Sequence, residues 1–328
     1  MTDGRVTCCR VTRSGAGRAS AAWASHRRRL ACSPTARRAL CLPVLARLWR
    51  PGPTQGRLDL AVELVTLICQ HLGDRRVDLV CDGAYAGKAL AGLPSQATVT
   101  VRLRADAALY QLPGPRRPHQ RGRPPSKGAR LPELCTLAGL VATPFALHQA
   151  TLYGRPRTLA VAHFTCLWPS VFATCPVHVI LVRAPTAPDG FDLALVSTDL
   201  DATAPGLVRR YAARWPVEVL FREARQDAGV GQARNRTRRA VERTVPFGLA
   251  CYSLAIVWYA HHGHHPADLA ARRILAPWYQ TKTTPSVADM LAKLRRLLIA
   301  AQYHQGQPTA PTAAEILQVQ AAWAAAGH

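Results

Sequence analysis

Residues 211–225 read Tyr-Ala-Ala-Arg-Trp-Pro-Val-Glu-Val-Leu-Phe-Arg-Glu-Ala-Arg, and both the polar and the apolar side chains recur at helical spacing. On a continuous helix at about 100° per residue, four polar residues fall within a sector of roughly 60°: Tyr211, Arg214, Glu218 and Arg225. An adjacent face is apolar: Val217, Leu220, Phe221 and Ala224. The segment predicts a helix that packs on a core and presents one acid among bases beside it.

Pro216 interrupts this segment, because it cannot donate a backbone hydrogen bond and either kinks a helix or starts a new one. The spacing alone therefore fixes only the register from Glu218 to Arg225. Two interpretations of the polar stripe stay open. It is a binding surface beside the core, or it is a solvated helix face with intrahelical pairs such as Glu218 with Arg222.

A second candidate residue, Asp82, follows the apolar run 77–81 (VDLVC), which fits a short buried strand. A helix is predicted before it, over 58–72, and ends at Gly73. A carboxylate where a buried strand opens into a glycine-containing turn can hold a metal or activate water, because the strand fixes it while the turn exposes it. The alternative is an ordinary Asp that starts an Asx-turn or caps a short helix.

The charge balance points to a polyanionic partner. The 328 residues carry 42 Lys and Arg but only 19 Asp and Glu, which gives a net charge of +23. Codon bias in a GC-rich gene explains arginine in place of lysine but not the shortage of acids. No apolar run reaches the roughly 18 residues that a spanning helix needs, so we expect no membrane partner. The N-terminus lacks the uninterrupted apolar core of a secretory signal peptide, so we expect an intracellular chain, and the charge excess predicts that it binds nucleic acid.

Residues 1–40 differ in composition from the rest of the chain. They hold nine arginines and one acid, Asp3, without a sustained period. The segment is interpreted as a basic arm or as the product of a wrong start or shifted frame, and we favour the second. The ten cysteines form no C-x-x-C pair, so we expect reduced and mostly buried thiols.

The middle of the chain alternates between strand and loop patterns. Further strands are predicted over 98–103, 158–164, 177–183 and 193–198. Residues 111–130 hold six basic residues, five prolines and no acid, which is typical of a linker. Within it, Arg121 and Arg123 lie in a run that fits a minor-groove or phosphate-tracking hook, and a solvated loop is the equal alternative.

Helical patterns dominate after Asp201, with helices predicted over 205–225, 241–259, 286–300 and 312–325. The patterns divide the chain into six segments: 1–40, the arginine-rich arm; 41–110, the first part of an α/β core; 111–130, the basic loop; 131–200, a β-rich insertion; 201–260, the polar helix and the end of the core; and 261–328, a helical C-terminal region.

The Tyr-x2-Arg-x3-Glu-x6-basic spacing of residues 211–225, preceded by Asp82-Gly-Ala-Tyr after a strand, resembles the bacterial insertion-sequence transposases of the DDE type. The strict signature ends in Lys, whereas this chain has Arg225, which keeps a phosphate-binding charge with another geometry. The resemblance covers about Leu42 to Ser286. It implies an RNase H-like α/β core with a β-rich insertion and a helical C-terminal region.

The resemblance also implies roles. Asp82 matches the second catalytic Asp and Glu218 the catalytic Glu, which in that family hold two divalent ions, Mg²⁺ or Mn²⁺, for phosphoryl transfer at a scissile phosphate. DNA, as transposon end and target, is the implied partner, with a homodimer possible and a cytoplasmic, nucleoid-associated location. The implied DNA-binding residues are Tyr211, Arg214, Trp215 and Arg225. Their charge makes Arg222, and Arg121 and Arg123 of the basic loop, further DNA-binding candidates.

The chain departs from the family pattern at the first catalytic Asp. That residue precedes the helix at 58–72, but no Asp or Glu lies between Asp3 and Asp59. We therefore expect a truncated or frame-altered N-terminus and a chain that binds DNA but does not cleave it at a useful rate. Asp59 and Asp199 are the residues that would supply a third carboxylate if cleavage does occur.

Two other clusters have simpler explanations. His261, His262, His264 and His265 are consecutive rather than on one helix face, which favours a solvated loop over a metal site. Asp199 and Asp201 are interpreted first as turn formers. The rival functions are a DNA-binding transposase remnant without catalysis, and a basic RNA-binding or scaffold protein in which the polar stripe is coincidence.

Overall fold

The computed structural model describes residues 19–20, 41–49, 56–115, 122–140, 144–187, 189–232, 234, 236–304 and 313–326. They form two compact units that meet in sequence between Glu218 and Val219. The sheet unit comprises the described residues at 19–20 and 45–218. The helical unit comprises those at 41–44 and from 219 onward. The six-segment division made from the sequence stays a prediction.

The sheet unit is built from eight strands and four helices among its described residues. In chain order these are β1 (Ala19–Ser20), β2 (Arg47–Leu48), α1 (Arg57–Leu72), β3 (Val77–Cys81), β4 (Ala97–Arg102), α2 (Leu134–Gly139), β5 (Ala146–Leu152), β6 (Arg155–Leu167), α3 (Pro169–Phe172), β7 (Pro176–Arg183), β8 (Leu193–Ser197) and α4 (Ala204–Ala212). Strands β3 to β8 form one sheet in the order β3-β4-β8-β7-β6-β5, and the short β1 pairs with β2.

The first part of the sheet has the predicted helix-to-strand order. Helix α1 ends at Gly73, whose φ of +58° is a conformation that suits glycine. Strand β3 is buried along its whole length and pairs in parallel with β4, whereas every other pairing in the six-stranded sheet is antiparallel. A strand that is buried on both faces has a nearly continuous apolar sequence, and the apolar run 77–81 therefore predicted β3.

The β-rich part contains the three predicted strands over 158–164, 177–183 and 193–198, as β6, β7 and β8. It also contains β5, which the sequence did not predict. Most of β5 is exposed at the sheet edge, so it lacks the apolar alternation that identifies a strand. The two-residue turn to β6 is formed by Tyr153 and Gly154, both with positive φ, as tight hairpin turns require.

Part of the basic loop is paired rather than free. Gln111 donates its backbone N–H to Ala129, and Gly128 donates to Gln111. A Cβ on Gly128 would lie 2.7 Å from the Leu112 carbonyl oxygen, so this close approach requires glycine. The described ends of the loop therefore hydrogen-bond to each other. Arg121 lies outside the described residues, and Arg123 is exposed.

The helix predicted over 205–225 is two helices. Helix α4 ends at Ala212, residues 213–215 form a turn, and Pro216 begins α5 (Pro216–Gln226), at the position where its missing N–H costs nothing. Helix α4 packs on the sheet through Ala204, Leu207 and Val208, which join a core cluster that includes Ile180 and Leu195.

The helical unit contains the remainder of α5, α6 (Arg238–Trp258), α7 (Asp268–Leu275), α8 (Val287–His304) and α9 (Ala313–Ala326). Helices α6, α8 and α9 confirm the predictions over 241–259, 286–300 and 312–325. By length and composition the helical stretch Arg238–Gly263 could cross a membrane. One such helix is weak evidence, and 22% of its most apolar window is buried. Leu249, Tyr252 and Ile256 are among the buried residues of α6.

The described architecture is mixed α/β, with a mixed parallel and antiparallel sheet followed by helices. This confirms the predicted fold class, because the arrangement is consistent with an RNase H-like core and a helical C-terminal region.

Candidate DNA-binding and catalytic site

Asp82 lies immediately after β3, where the buried strand ends. Its Oδ1 accepts a hydrogen bond of 2.8 Å from the Gly83 N–H and so caps the short 3₁₀ turn Gly83–Tyr85. A Cβ on Gly83 would lie 3.2 Å from the Arg102 carbonyl oxygen, so the turn passes close to the end of β4. The cap is the structural role that the sequence offered for Asp82. It occupies one of the two carboxylate oxygens and holds the side chain at the strand end.

Tyr211, Arg214 and Glu218 lie on successive turns of the path from α4 to α5. Backbone hydrogen bonds from Arg214 to Tyr211 and from Glu218 to Trp215 carry the chain through the break at Pro216. Nη2 of Arg214 lies 3.1 Å from Oε1 of Glu218, and its Cζ lies 5.5 Å from the centre of the Tyr211 ring. These three side chains therefore stay neighbours across the break, as they would be on a continuous helix.

Tyr211 connects this group to Asp82. Burial raises the pKa of the Tyr211 hydroxyl, and the nearby Asp82 carboxylate raises it further, while Arg214 and Arg102 act in the opposite direction. The hydroxyl thus lies within electrostatic reach of both Asp82 and Arg214. Tyr211, Arg214 and Glu218 are thus neighbours in the sheet unit, and Asp82 acts on this group through its charge.

Trp215 lies at the break between the helices and is 50% exposed. Its ring stands edge-to-face with Tyr153, the residue at the β5–β6 turn, with 6.0 Å between ring centres. Tyr153 is itself 66% exposed, so the pair presents aromatic surface to solvent. Sequence reasoning missed Tyr153, because nothing in its local pattern marks a hairpin turn or a neighbour 62 residues along the chain.

The remaining predicted DNA-binding residues lie elsewhere on the chain. Arg222 and Arg225 are exposed on the part of α5 that belongs to the helical unit. The Nε of Arg225 donates to the carbonyl oxygen of Phe221, one turn earlier. Arg123 is exposed in the basic loop of the sheet unit.

The donor set at Asp82 and Glu218 fits a hard divalent cation in part. Mg²⁺ prefers oxygen ligands and is commonly held by one or two carboxylates, with waters and substrate phosphates completing its coordination. Among the residues that the structure describes, no group of three or more His, Cys, Asp or Glu side chains lies close enough together to hold a metal ion. The described residues thus form no three-ligand site, and Asp82 and Glu218 stay the predicted metal ligands.

The two residues named as substitutes for a third carboxylate have other roles. Asp59 accepts a hydrogen bond from the Gly56 N–H at the start of α1. Asp199 is 5% exposed and pairs with Arg210, so it is a buried ion-pair partner rather than a simple turn former. Asp199 lies beside the beginning of β3 and β4, whereas Asp82 follows the end of β3. Four residues of strand, about 13 Å, separate these two ends of β3.

The histidine cluster follows α6. His261 and His262 lie in a π-helical turn, Tyr259–Gly263, and Nδ1 of His265 accepts from the Ala267 N–H. Within the described residues these histidines belong to no metal-binding group.

Comparisons with known proteins bear on this geometry. A family model described as a transposase DDE domain matches residues 58–254, more than half of the chain, from α1 through most of α6. Comparison with curated proteins finds no match. The matched region contains Asp82 after its buried strand and the Tyr211, Arg214 and Glu218 group. By this match the chain belongs to the family of transposases with a DDE domain.

Proposed function

We propose that this chain binds DNA through the group around Tyr211 and Arg214, and that Asp82 and Glu218 are its metal-binding carboxylates for phosphoryl transfer. Membership of the transposase family implies DNA as the substrate. The observation that carries the proposal is the group that Arg214 forms with Glu218 and Tyr211, within a family-matched region that also holds Asp82 at the end of β3. Arg214 offers a planar guanidinium suited to a phosphate, and the exposed Trp215 offers a stacking surface.

A divalent cation bound at Asp82 and Glu218 would supply charge stabilisation at a scissile phosphate and lower the pKa of an attacking water or hydroxyl. The protein's own contribution is positional. Strand β3 and the cap at Gly83 hold Asp82, and the first turn of α5 holds Glu218. Arg214 neutralises Glu218 when no cation is present, which reduces the cost of keeping that carboxylate partly buried.

We further propose that the 328-residue chain binds DNA without cleaving it at a useful rate. In-line displacement needs both the attacking and the leaving oxygen stabilised, but the described residues form no three-ligand metal site and Arg214 pairs with Glu218. Such a site attracts phosphate without a metal but holds cations weakly. A DNA-bound chain of this kind would act in the cytoplasm at the nucleoid, and pairing of two DNA ends would require a homodimer.

The test measures DNA binding and cleavage by the purified chain. We expect affinity for a labelled duplex to fall by about 10³- to 10⁵-fold between 50 and 200 mM salt, as for about 6 to 10 phosphate contacts. Arg214→Gln should weaken binding across sequences, whereas Arg75→Gln removes the same charge at an exposed site before β3 and should change it less. Salt-insensitive binding, or a preference for RNA, contradicts the proposal.

The same preparation tests cleavage. We expect an electrophoretic shift without nicking in Mg²⁺ or Mn²⁺. Robust nicking that disappears in Glu218→Gln would confirm Glu218 as a catalytic residue, and it would show that the chain holds a third carboxylate after all.

A further inference from the structure

The guanidinium of Arg210 lies between two buried carboxylates. Its Nη1 donates a 2.9 Å hydrogen bond to Oδ2 of Asp199, and its Nε lies 3.2 Å from Oδ2 of Asp78. The side chains of Arg210 and Asp78 are 11% exposed and that of Asp199 is 6% exposed. We call these three residues the Arg210 clamp.

Both acidic residues of the Arg210 clamp are hydrogen-bonded to the sheet, Asp78 through its carboxylate and Asp199 through its backbone N–H. The hydroxyl of Thr98 on β4 donates a 2.8 Å hydrogen bond to Oδ1 of Asp78 on β3. The backbone N–H of Asp199 donates to Oγ of Ser197 at the end of β8, and Oγ of Ser197 donates to the Val99 carbonyl oxygen. The clamp therefore joins helix α4 to three neighbouring strands, each of which is rigidly paired.

Stability alone does not explain the clamp. Burying three charged groups costs desolvation energy that their attraction only partly offsets, and well-packed apolar residues in such positions are often as stable. What an ion pair adds is geometry, because Arg210 can meet both carboxylates in only one position of α4 along the sheet. A single fixed position matters most where a neighbouring residue must be placed accurately.

The residues next to Arg210 are residues that must be placed accurately, because they belong to the candidate DNA-binding group. Tyr211 follows it directly, and Arg214 follows one helical turn later. Arg210 reaches Asp78 near the start of β3, whereas Tyr211 packs against the core cluster that contains Leu195. Leu195 pairs with Arg102, at the end of the parallel pair of β3 and β4 where Asp82 follows. Strand β3 sets about 13 Å between these two points. Anchoring α4 at one end of β3 thus determines where Tyr211 and Arg214 lie relative to Asp82.

We propose that Arg210 is a positioning residue, which acts through Asp78 and Asp199 to hold Tyr211 and Arg214 beside Asp82 for phosphate binding. The inference rests on the proposed function, because it concerns how the same site takes DNA. Arg210 itself, enclosed by the two carboxylates, does not contact the phosphate.

The test compares Arg210→Lys with Arg209→Lys in DNA binding. Both changes preserve the charge, but Arg209 is exposed on the same helix and makes no part of the clamp. Lysine cannot meet both carboxylates in the fork geometry of arginine. We expect Arg210→Lys to weaken DNA binding about 10-fold. We also expect the slope of log affinity against log salt concentration (the salt slope) to become shallower by about one, as for one lost phosphate contact. Arg209→Lys should leave both the affinity and the salt slope unchanged.

A double-mutant cycle with Arg214→Gln separates positioning from general destabilisation. If Arg210 acts through Arg214, Arg210→Lys costs little more affinity once Arg214 is replaced, because coupled residues are not additive. Additive losses, or an unchanged salt slope in a folded Arg210→Lys protein, overturn the positioning role. Should Arg210→Lys fail to fold, Asp199→Asn removes one side of the clamp at constant shape and is judged by the same measurements.

The two proposals fail in different ways. Wild-type protein that does not bind DNA overturns the proposed function and, with it, the positioning role. Wild-type protein that binds DNA in a salt-dependent manner, together with variants of the clamp that bind equally well, overturns only the positioning role.

Discussion

Nη2 of Arg214 lies 3.1 Å from Oε1 of Glu218, so the candidate phosphate-binding guanidinium and the candidate metal-binding carboxylate neutralise each other. Both side chains are largely buried, at 14% and 23% exposure. A phosphate that binds Arg214 must compete with Glu218, and a cation that binds Glu218 must compete with Arg214. Phosphate binding at Arg214 and cation binding at Glu218 therefore promote each other, because each ligand releases the side chain that the other ligand binds.

Glu218→Gln should bind DNA more tightly than the wild type when divalent cations are chelated. Removing the carboxylate charge releases Arg214 for phosphate. An exposed ion pair contributes about 0.2 to 1 kcal/mol and this pair is largely buried, so we expect a gain of roughly five-fold or more in affinity. Fluorescence anisotropy with a labelled duplex measures the change. Glu63→Gln removes the same charge from the exposed pair with Arg47 and is the control. Unchanged or weaker binding by Glu218→Gln would contradict the competition.

The aromatic pair of Tyr153 and Trp215 should bind unpaired bases. Both rings are at least half exposed, and Trp215 follows Arg214 directly in the sequence. Base stacking on an aromatic side chain contributes about 1 to 3 kcal/mol per base. Trp215→Ala and Tyr153→Ala are each expected to weaken binding to single-stranded or frayed DNA more than to a blunt duplex. Trp278→Ala, which removes a 75% exposed tryptophan from the helical unit, is the matched control. Equal losses on both DNA forms would argue against stacking.

The sequence predicted those parts of the molecule that local patterns determine. Strand β3 is buried on both faces and therefore reads as an apolar run, which placed Asp82 at a strand end. Pro216 marked the break in the polar helix, and the shared neighbourhood of Tyr211, Arg214 and Glu218 follows from helical periodicity that the break leaves almost intact.

The features that sequence reasoning missed depend on contacts between distant segments. Asp199 pairs with Arg210 and lies beside Asp78, which is 121 residues earlier, and no period links these positions. Strand β5 forms by pairing with the edge of β6, and its mostly exposed residues lack the apolar alternation that would predict a strand. Tyr153 contacts Trp215 because it lies in the turn between β5 and β6. Such contacts follow from the assembled sheet and not from any one stretch of the chain.

The cysteines should divide into two groups by reactivity. Of those in the described residues, Cys41, Cys69, Cys81 and Cys166 are buried, whereas Cys135, Cys175 and Cys251 are exposed. Burial raises the pKa of Cys41 and of Cys166 to about 12, so these two stay protonated and unreactive near neutral pH. Alkylation of the native protein followed by peptide mapping should modify Cys135, Cys175 and Cys251 first. Early modification of Cys41 or Cys166 would contradict the packing around it.

Acid should destabilise the helical unit through Asp268 and Asp289. Burial alone would raise the pKa of Asp289, but hydrogen bonds from Lys282 and Ser286 outweigh it and bring the pKa below its ordinary value. The pKa of Asp268 is lowered in the same way, with burial opposed by Lys293 and Tyr259. A carboxyl with a lowered folded-state pKa stabilises the fold above its unfolded pKa of about 3.9, and this contribution is lost as the pH falls through the folded value.

Asp289→Asn should remove part of that pH dependence and lower the stability at neutral pH. The change leaves Lys282 and Arg272 without their shared carboxylate, and breaking a buried pair in this way costs about 3 to 5 kcal/mol. Urea unfolding at neutral and at acidic pH, followed by circular dichroism, measures both effects. Asp106→Asn, at an exposed pair with Arg104, should change neither. If Asp289→Asn unfolds like the wild type at every pH, the ion pairs around Asp289 do not stabilise the helical unit.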